Sequence, residues 1–217
     1  MKDRFDLLIF DWDGTLVDSI DWIVYCVQAS AKKCGCVTPS SQAAKDIIGL
    51  SINEAAHNLF PLEDLVTRQH FILHYGELLP SKQTTADDLF SGVAAMLSLL
   101  KQAGYQLAIA SGRNRVGLNN ALQETGIGDL FSATRCAEEA ASKPNPLMLE
   151  EIMQHIGISS ERTLMIGDST HDLQMAKNAQ VASIGVTCGV HPAHVLQQYQ
   201  PLFCLEQTTG LLEKLVG

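Results

Sequence analysis

Asp11 and Asp13 stand one residue apart in Leu7–Ser19, LLIFDWDGTLVDS, directly after an apolar run. Two carboxylates about 4 Å apart repel by roughly 4 kcal/mol at an effective dielectric of 20. A chain that ends a buried strand on such a pair needs protons or a cation to relieve it. Three further stretches could join the same chemistry: Ser111 and Gly112 in LAIASGRNR, Lys143 in ASKPNP, and Asp168 and Asp172 in LMIGDSTHD. Asp11, Asp13 and Asp168 form an all-oxygen ligand set, which favours Mg²⁺, a hard cation that binds few carboxylates and takes phosphate oxygens. Lys143 adds a positive group. The Ser111 hydroxyl and the Gly112 N–H, expected at a helix N-terminus, suit phosphate oxygens. A carboxylate nucleophile, an acid/base, a metal and an anion cradle together equip a chain for phosphoryl transfer.

Strand ends must bring these residues together. Short apolar runs predict strands at Leu7–Phe10, Gln106–Ala110, Thr163–Ile166 and Ala182–Val186, with a weaker one at Phe131–Thr134. Val93, Met96, Leu97 and Leu100 repeat at helical spacing, as do Leu149, Ile152, Met153 and Ile156. Gly104 and Gly157 follow these helices, where C-cap glycines belong. Strands alternating with helices predict an α/β fold, a Rossmann-like doubly wound parallel sheet. Ligands bind such sheets at the carboxyl ends of the strands. Asp11, Ser111 and Asp168 fall at those ends, and a loop carrying Lys143 can reach the same edge.

The segment from about Leu16 to Asp88 breaks the alternation. It holds helical stretches, WIVYCVQASAKKCG, SSQAAKDIIG, INEAAHNLF and LEDLVTRQHFILHYGELL, but no convincing strand. That is too long for a loop. The expected organisation is an α/β core of residues 1–15 and 89–217 with an all-helical cap, 16–88, inserted after the first strand.

The 217 residues are 46% apolar, enough for a sizeable core. No apolar run approaches a membrane span, and the N-terminal MKDRFDLLIFDWD lacks the pattern of a signal peptide. The net charge of −9 argues against a nucleic-acid partner, whose phosphates demand a basic face. The six scattered cysteines form no zinc-type spacing and predict reduced thiols in a cytoplasmic protein. Oligomeric state is left open.

FDWDGTLVDS resembles the first motif of the haloacid dehalogenase-like superfamily, DxDGTLxDS, and the other three motifs follow in the family's order. The helical insert is similar to the cap of the subfamily containing phosphoglycolate phosphatase and β-phosphoglucomutase, and LFSGV resembles the element where such chains re-enter the core. The resemblance implies a Mg²⁺-dependent phosphatase acting on a small-molecule phosphate ester of the phosphoglycolate or sugar-phosphate type. Asp11 would attack phosphorus to form an aspartyl-phosphate. Asp13 would protonate the leaving oxygen and then activate water. Asp11, the backbone carbonyl of Asp13, and Asp168 would hold Mg²⁺. Ser111 and Gly112 would bind phosphoryl oxygens, Lys143 would neutralise them, and Asp172 would orient Lys143 or a water on the metal. Trp12 for the commoner leucine, Gly112 for a frequent asparagine and Leu147 for a frequent acid depart from the family pattern.

A phosphomutase would use the same residues, with the insert deciding whether water enters. A dehalogenase lacks the second aspartate, which is present here. A receiver domain would carry its phosphorylated aspartate on a later strand, and no suitable Asp precedes Ser111. Among the remaining residues, Asp18 and Ser19 are expected to cap the first insert helix. His171 reads as a solvated first-turn residue, whereas Arg113 and Arg115 read equally as anion-steering groups or as solvated helix-start charges. Lys45, Arg68 and Lys82 are the insert's candidate anion partners.

Overall fold

The computed structural model describes residues 4–216. Its single sheet has six parallel strands: β1 (Leu7–Phe10), β2 (Gln106–Ser111), β3 (Ala133–Cys136), β4 (Thr163–Gly167), β5 (Ala182–Val186) and β6 (Cys204–Leu205). They lie in the order β3-β2-β1-β4-β5-β6. The chain therefore winds outward from β1 on one side, then returns to β1 and winds outward on the other. β1 and β4 flank the point where the winding reverses, the place where such sheets bind ligands.

Side-chain alternation along β1 shows why its sequence is wholly apolar. Leu8 and Phe10 enter one core with Val93, Met96, Leu97 and Leu100 of α5 (Val93–Gln102). Leu7 and Ile9 enter the opposite core with Met148, Leu149 and Ile152 of α7 (Leu147–Ile156) and Met175 and Ala176 of α8 (Thr170–Asn178). A strand buried on both faces has no polar side. The other helices of this part are α6 (Arg115–Thr125), α9 (Ala193–Leu196) and α10 (Leu211–Leu215).

Two strands differ from expectation. β3 begins at Ala133 rather than Phe131, because Gly128–Leu130 forms a 3₁₀ turn and Phe131 folds back onto the core. β6 is a two-residue edge strand, too short to leave a periodic pattern.

Between β1 and α5 the four anticipated insert helices form: α1 (Ile20–Lys33), α2 (Ser41–Asp46), α3 (Ile52–Leu59) and α4 (Leu65–Leu78). Ser40, Ser51 and Asp64 each accept a capping hydrogen bond from the backbone N–H three residues on. Outgoing and returning chains pair where they cross: Asp18 N–H donates to the Asp88 carbonyl and Phe90 N–H to the Leu16 carbonyl. The insert has its own apolar cluster, including Val27, Ala44, Ala56, Phe60 and Phe71, which Val190 joins from the loop after β5. Phe71 is fully buried and meets Phe60 edge-on, with ring centroids 4.9 Å apart. Phe71→Ala should destabilise the protein by about 3–5 kcal/mol in urea denaturation, as expected for an aromatic removed from a closed core.

Candidate active site

Asp11 leaves β1 with its N–H donating to the Ile166 carbonyl of β4, so its position is fixed by the sheet itself. Lys143, buried in the loop before α7, donates to Asp11 Oδ1 at 2.6 Å and to Asp172 Oδ1 at 2.7 Å. Asp172 also accepts from the Ser169 N–H and hydroxyl through Oδ2, closing a capping box at the start of α8. It thus both starts a helix and holds Lys143. Asp168 accepts from the Thr15 hydroxyl and the Val190 N–H, both at 2.8 Å. Gly14 and Gly189 permit this approach: a Cβ on either would lie 2.4 or 2.0 Å from Asp168 Oδ2.

One carboxylate oxygen each from Asp11, Asp168 and Asp172 lie within 4.8 Å of one another, all buried. Asp11 Oδ2 has no hydrogen-bond partner. Burial and the charge of Asp172 raise the Asp11 pKa well above the ordinary carboxylate value against the pull of Lys143. Burial and Asp172 likewise raise Asp168 to about 7, although the Val190 N–H and Thr15 hydroxyl oppose the shift. Burial would lower the Lys143 pKa, but Asp11 and Asp172 reverse it and keep the ammonium charged. Three buried carboxylates crowded this closely fit a hard divalent cation.

Asp13 turns to a different wall. Its Oδ1 accepts from Ser19 Oγ and from Arg113 Nη2, each at 2.6 Å, and Oδ2 accepts from Arg113 Nε at 2.9 Å. Burial would raise its pKa, yet the Arg113 guanidinium and these hydrogen bonds hold it below the ordinary value. The two aspartates of the opening motif are therefore separated: Asp11 joins Lys143 and the acidic cluster, and Asp13 joins Arg113. Ser19 stands at the N-cap of α1 but makes no capping bond, because its hydroxyl serves Asp13.

Ser111 closes β2, fully buried, and its Oγ accepts from the Arg113 N–H. Gly112 lies in the turn that follows. Helix α6 begins only at Arg115, with Asn114 as its N-cap, so Gly112 precedes the helix by three residues rather than opening it. The insert rests on Gly112. A Cβ there would sit 2.6 Å from the Gly49 carbonyl oxygen and 2.7 Å from that of Leu50. Ser51 N–H also donates to Ser142 Oγ at 2.8 Å, and His171 Nε2 donates to the Asp46 carbonyl at 2.8 Å. His171, part-exposed, thus also ties α8 to the insert. Arg115 pairs with Glu139 and donates to the Thr134 hydroxyl. Lys82 pairs with Asp88 at 3.0 Å, and Arg68 donates to the Phe60 carbonyl. A cavity of about 530 Å³ opens between insert and sheet edge, with Asp11, Asp13, Gly112 and Arg113 in its lining.

Thr15 and Ser19 lie within the first motif, whose spacing assigns them no contact with the acids, and the Gly189–Val190 turn lies outside every motif; each carries a supporting contact. Thr15 is signalled by its place beside Asp13 and Gly14. The Gly189–Val190 turn, far along the chain, leaves no such sign.

The chain belongs to the haloacid dehalogenase-like hydrolase family, whose profile matches residues 8–186. It is 34% identical over 202 residues to a probable phosphatase, IndB, of Dickeya dadantii strain 3937, covering 90% of this chain and 86% of that one. It is 29% identical over 219 residues to a phosphoglycolate phosphatase of Colwellia psychrerythraea strain 34H, covering 95% of each. A β-phosphoglucomutase from Clostridium difficile shares the fold, with a TM-score of 0.83 at 18% identity over 95% of this chain and 93% of that one.

Two outcomes follow from this geometry. The raised pKa values of Asp11 and Asp168 favour the cation-free fold below about pH 4, and that contribution fades as pH rises toward 7. A divalent cation binds the deprotonated forms, so Mg²⁺ should raise Tm more at pH 8 than at pH 5.5. An equal rise at both values would contradict this arrangement. Gly112→Ala should push Gly49 and Leu50 off the turn, and the Ser51 amide should then exchange its hydrogen on the order of tenfold faster.

Proposed function

We propose that this protein is a Mg²⁺-dependent phosphatase that hydrolyses a phosphomonoester through an aspartyl-phosphate on Asp11. The observation that carries the reading is the environment of Asp11. Lys143 holds Oδ1, while Oδ2 makes no hydrogen bond and keeps its lone pairs uncommitted. Phosphatase names among the relatives support the same chemistry.

Asp11 would attack phosphorus, and the alcohol would leave with a proton from Asp13, which must gain that proton against the pull of Arg113. Asp13 would then take a proton from water as that water attacks the acyl phosphate, releasing phosphate and regenerating Asp11. Lys143 would hold Asp11 in line and offset charge on the phosphoryl group. Ser111 and the Gly112 N–H would bind phosphoryl oxygens. The carboxylates of Asp11, Asp168 and Asp172, with the Asp13 backbone carbonyl, would hold Mg²⁺, which supplies positive charge to the phosphoryl oxygens when bound. Asp172 would also position Lys143. The insert, 16–88, would act as a cap that keeps bulk water from the leaving group. The six unpaired cysteines support a cytoplasmic setting.

The test is release of inorganic phosphate from small phosphomonoesters with and without Mg²⁺. Asp11→Asn should lower kcat by about 10³-fold or more, the scale of losing a nucleophile. A variant that kept its rate would remove Asp11 from the role. Isomerised sugar phosphate without free phosphate would instead identify a mutase.

A further inference from the structure

Asp11 and Gly112 mark the phosphoryl pole of the cavity. The insert adds the apolar side chains of Trp22, Ile23, Leu50 and Ile52, interleaved with polar ones such as Tyr75 and Thr84. Arg113 and Lys82 are the basic residues of the described lining. Each is already committed: Arg113 grips both oxygens of Asp13, and Lys82 pairs with Asp88. Asp18 and Glu124 add two exposed carboxylates to the lining.

A leaving group bearing its own anion would have to break one of these pairs or lie unpaired among carboxylates. Displacing Asp13 from Arg113 would strand a buried carboxylate, which is strongly unfavourable, and the half-exposed Lys82 offers an anion only a weak, solvent-screened contact. An uncharged group meets no such opposition, and apolar burial strengthens affinity by about fourfold per methylene. The chamber also has room for more than a two-carbon acid. We propose that the preferred substrate is a phosphomonoester of an uncharged alcohol whose body is apolar and bulkier than two carbons. This rests on the phosphatase reading and specifies which ester that site takes.

Unhydrolysable phosphonates separate recognition from turnover. In buffer containing Mg²⁺, binding of ethylphosphonate, hexylphosphonate and 3-phosphonopropionate is measured by calorimetry. Hexylphosphonate should bind at least about tenfold tighter than ethylphosphonate, and 3-phosphonopropionate no tighter than ethylphosphonate. Ile52→Ala should weaken hexylphosphonate several-fold while leaving ethylphosphonate unchanged, which also shows that the variant is folded. Tighter binding of 3-phosphonopropionate, no gain from the hexyl chain, or no effect of Ile52→Ala on it would overturn the proposal. If the phosphonates bind as expected while ethyl and hexyl phosphate both release no phosphate, the substrate chamber stands and the phosphatase reading falls. If none of the three binds, both fall.

Discussion

Among the described residues, four buried carboxylates share one end of the sheet, and two cationic side chains, Lys143 and Arg113, pair with them. The four are Asp11, Asp13, Asp168 and Asp172. When every acid is ionised, two negative charges remain, the charge balanced by one divalent cation. Buried like charges at such separations are sustained only when each is paired or hydrogen-bonded. Most of the local structure meets this demand: the Thr15 hydroxyl and Val190 N–H on Asp168, Ser169 on Asp172, and Ser19 on Asp13. Asp11 Oδ2 is left without a partner, and that exception marks where chemistry would occur.

The same demand joins the two parts of the chain. Val190 gives its side chain to the insert's apolar cluster and its N–H to Asp168. Ser19 opens the first insert helix while its hydroxyl holds Asp13. Gly49 and Leu50 lie on Gly112, which has no side chain to hold them off. Placement of the insert and charge balance in the site are therefore coupled through a few short contacts. A glycine at position 112 has a direct steric reason here.

Much of this was legible in the sequence, because sheet topology converts chain order into position. Strand ends brought Asp11, Ser111 and Asp168 together without further information, and the loop before a helix brought Lys143 to them. The helical run between β1 and α5 was legible from its missing strands. Partner choice was not legible. Nothing in the spacing of Asp13 and Arg113, a hundred residues apart, indicates their ion pair, and both readings of Arg113 had it facing solvent or ligand. The tertiary contacts of His171 and Ser19 were missed for the same reason: each residue has a good local role that gives no sign of the contact. The two-residue β6 and the late start of β3 depend on edge pairing and a 3₁₀ turn, which periodicity does not record.

The central claim is that Asp11 becomes covalently phosphorylated. Its most direct test is acid quench during turnover of a hydrolysed phosphomonoester, followed by mass analysis of the peptide containing Asp11. A phosphoryl group on Asp11, absent when substrate is withheld, is the expected result. Sustained turnover with that peptide unmodified, or with the phosphoryl group on another residue, would contradict it.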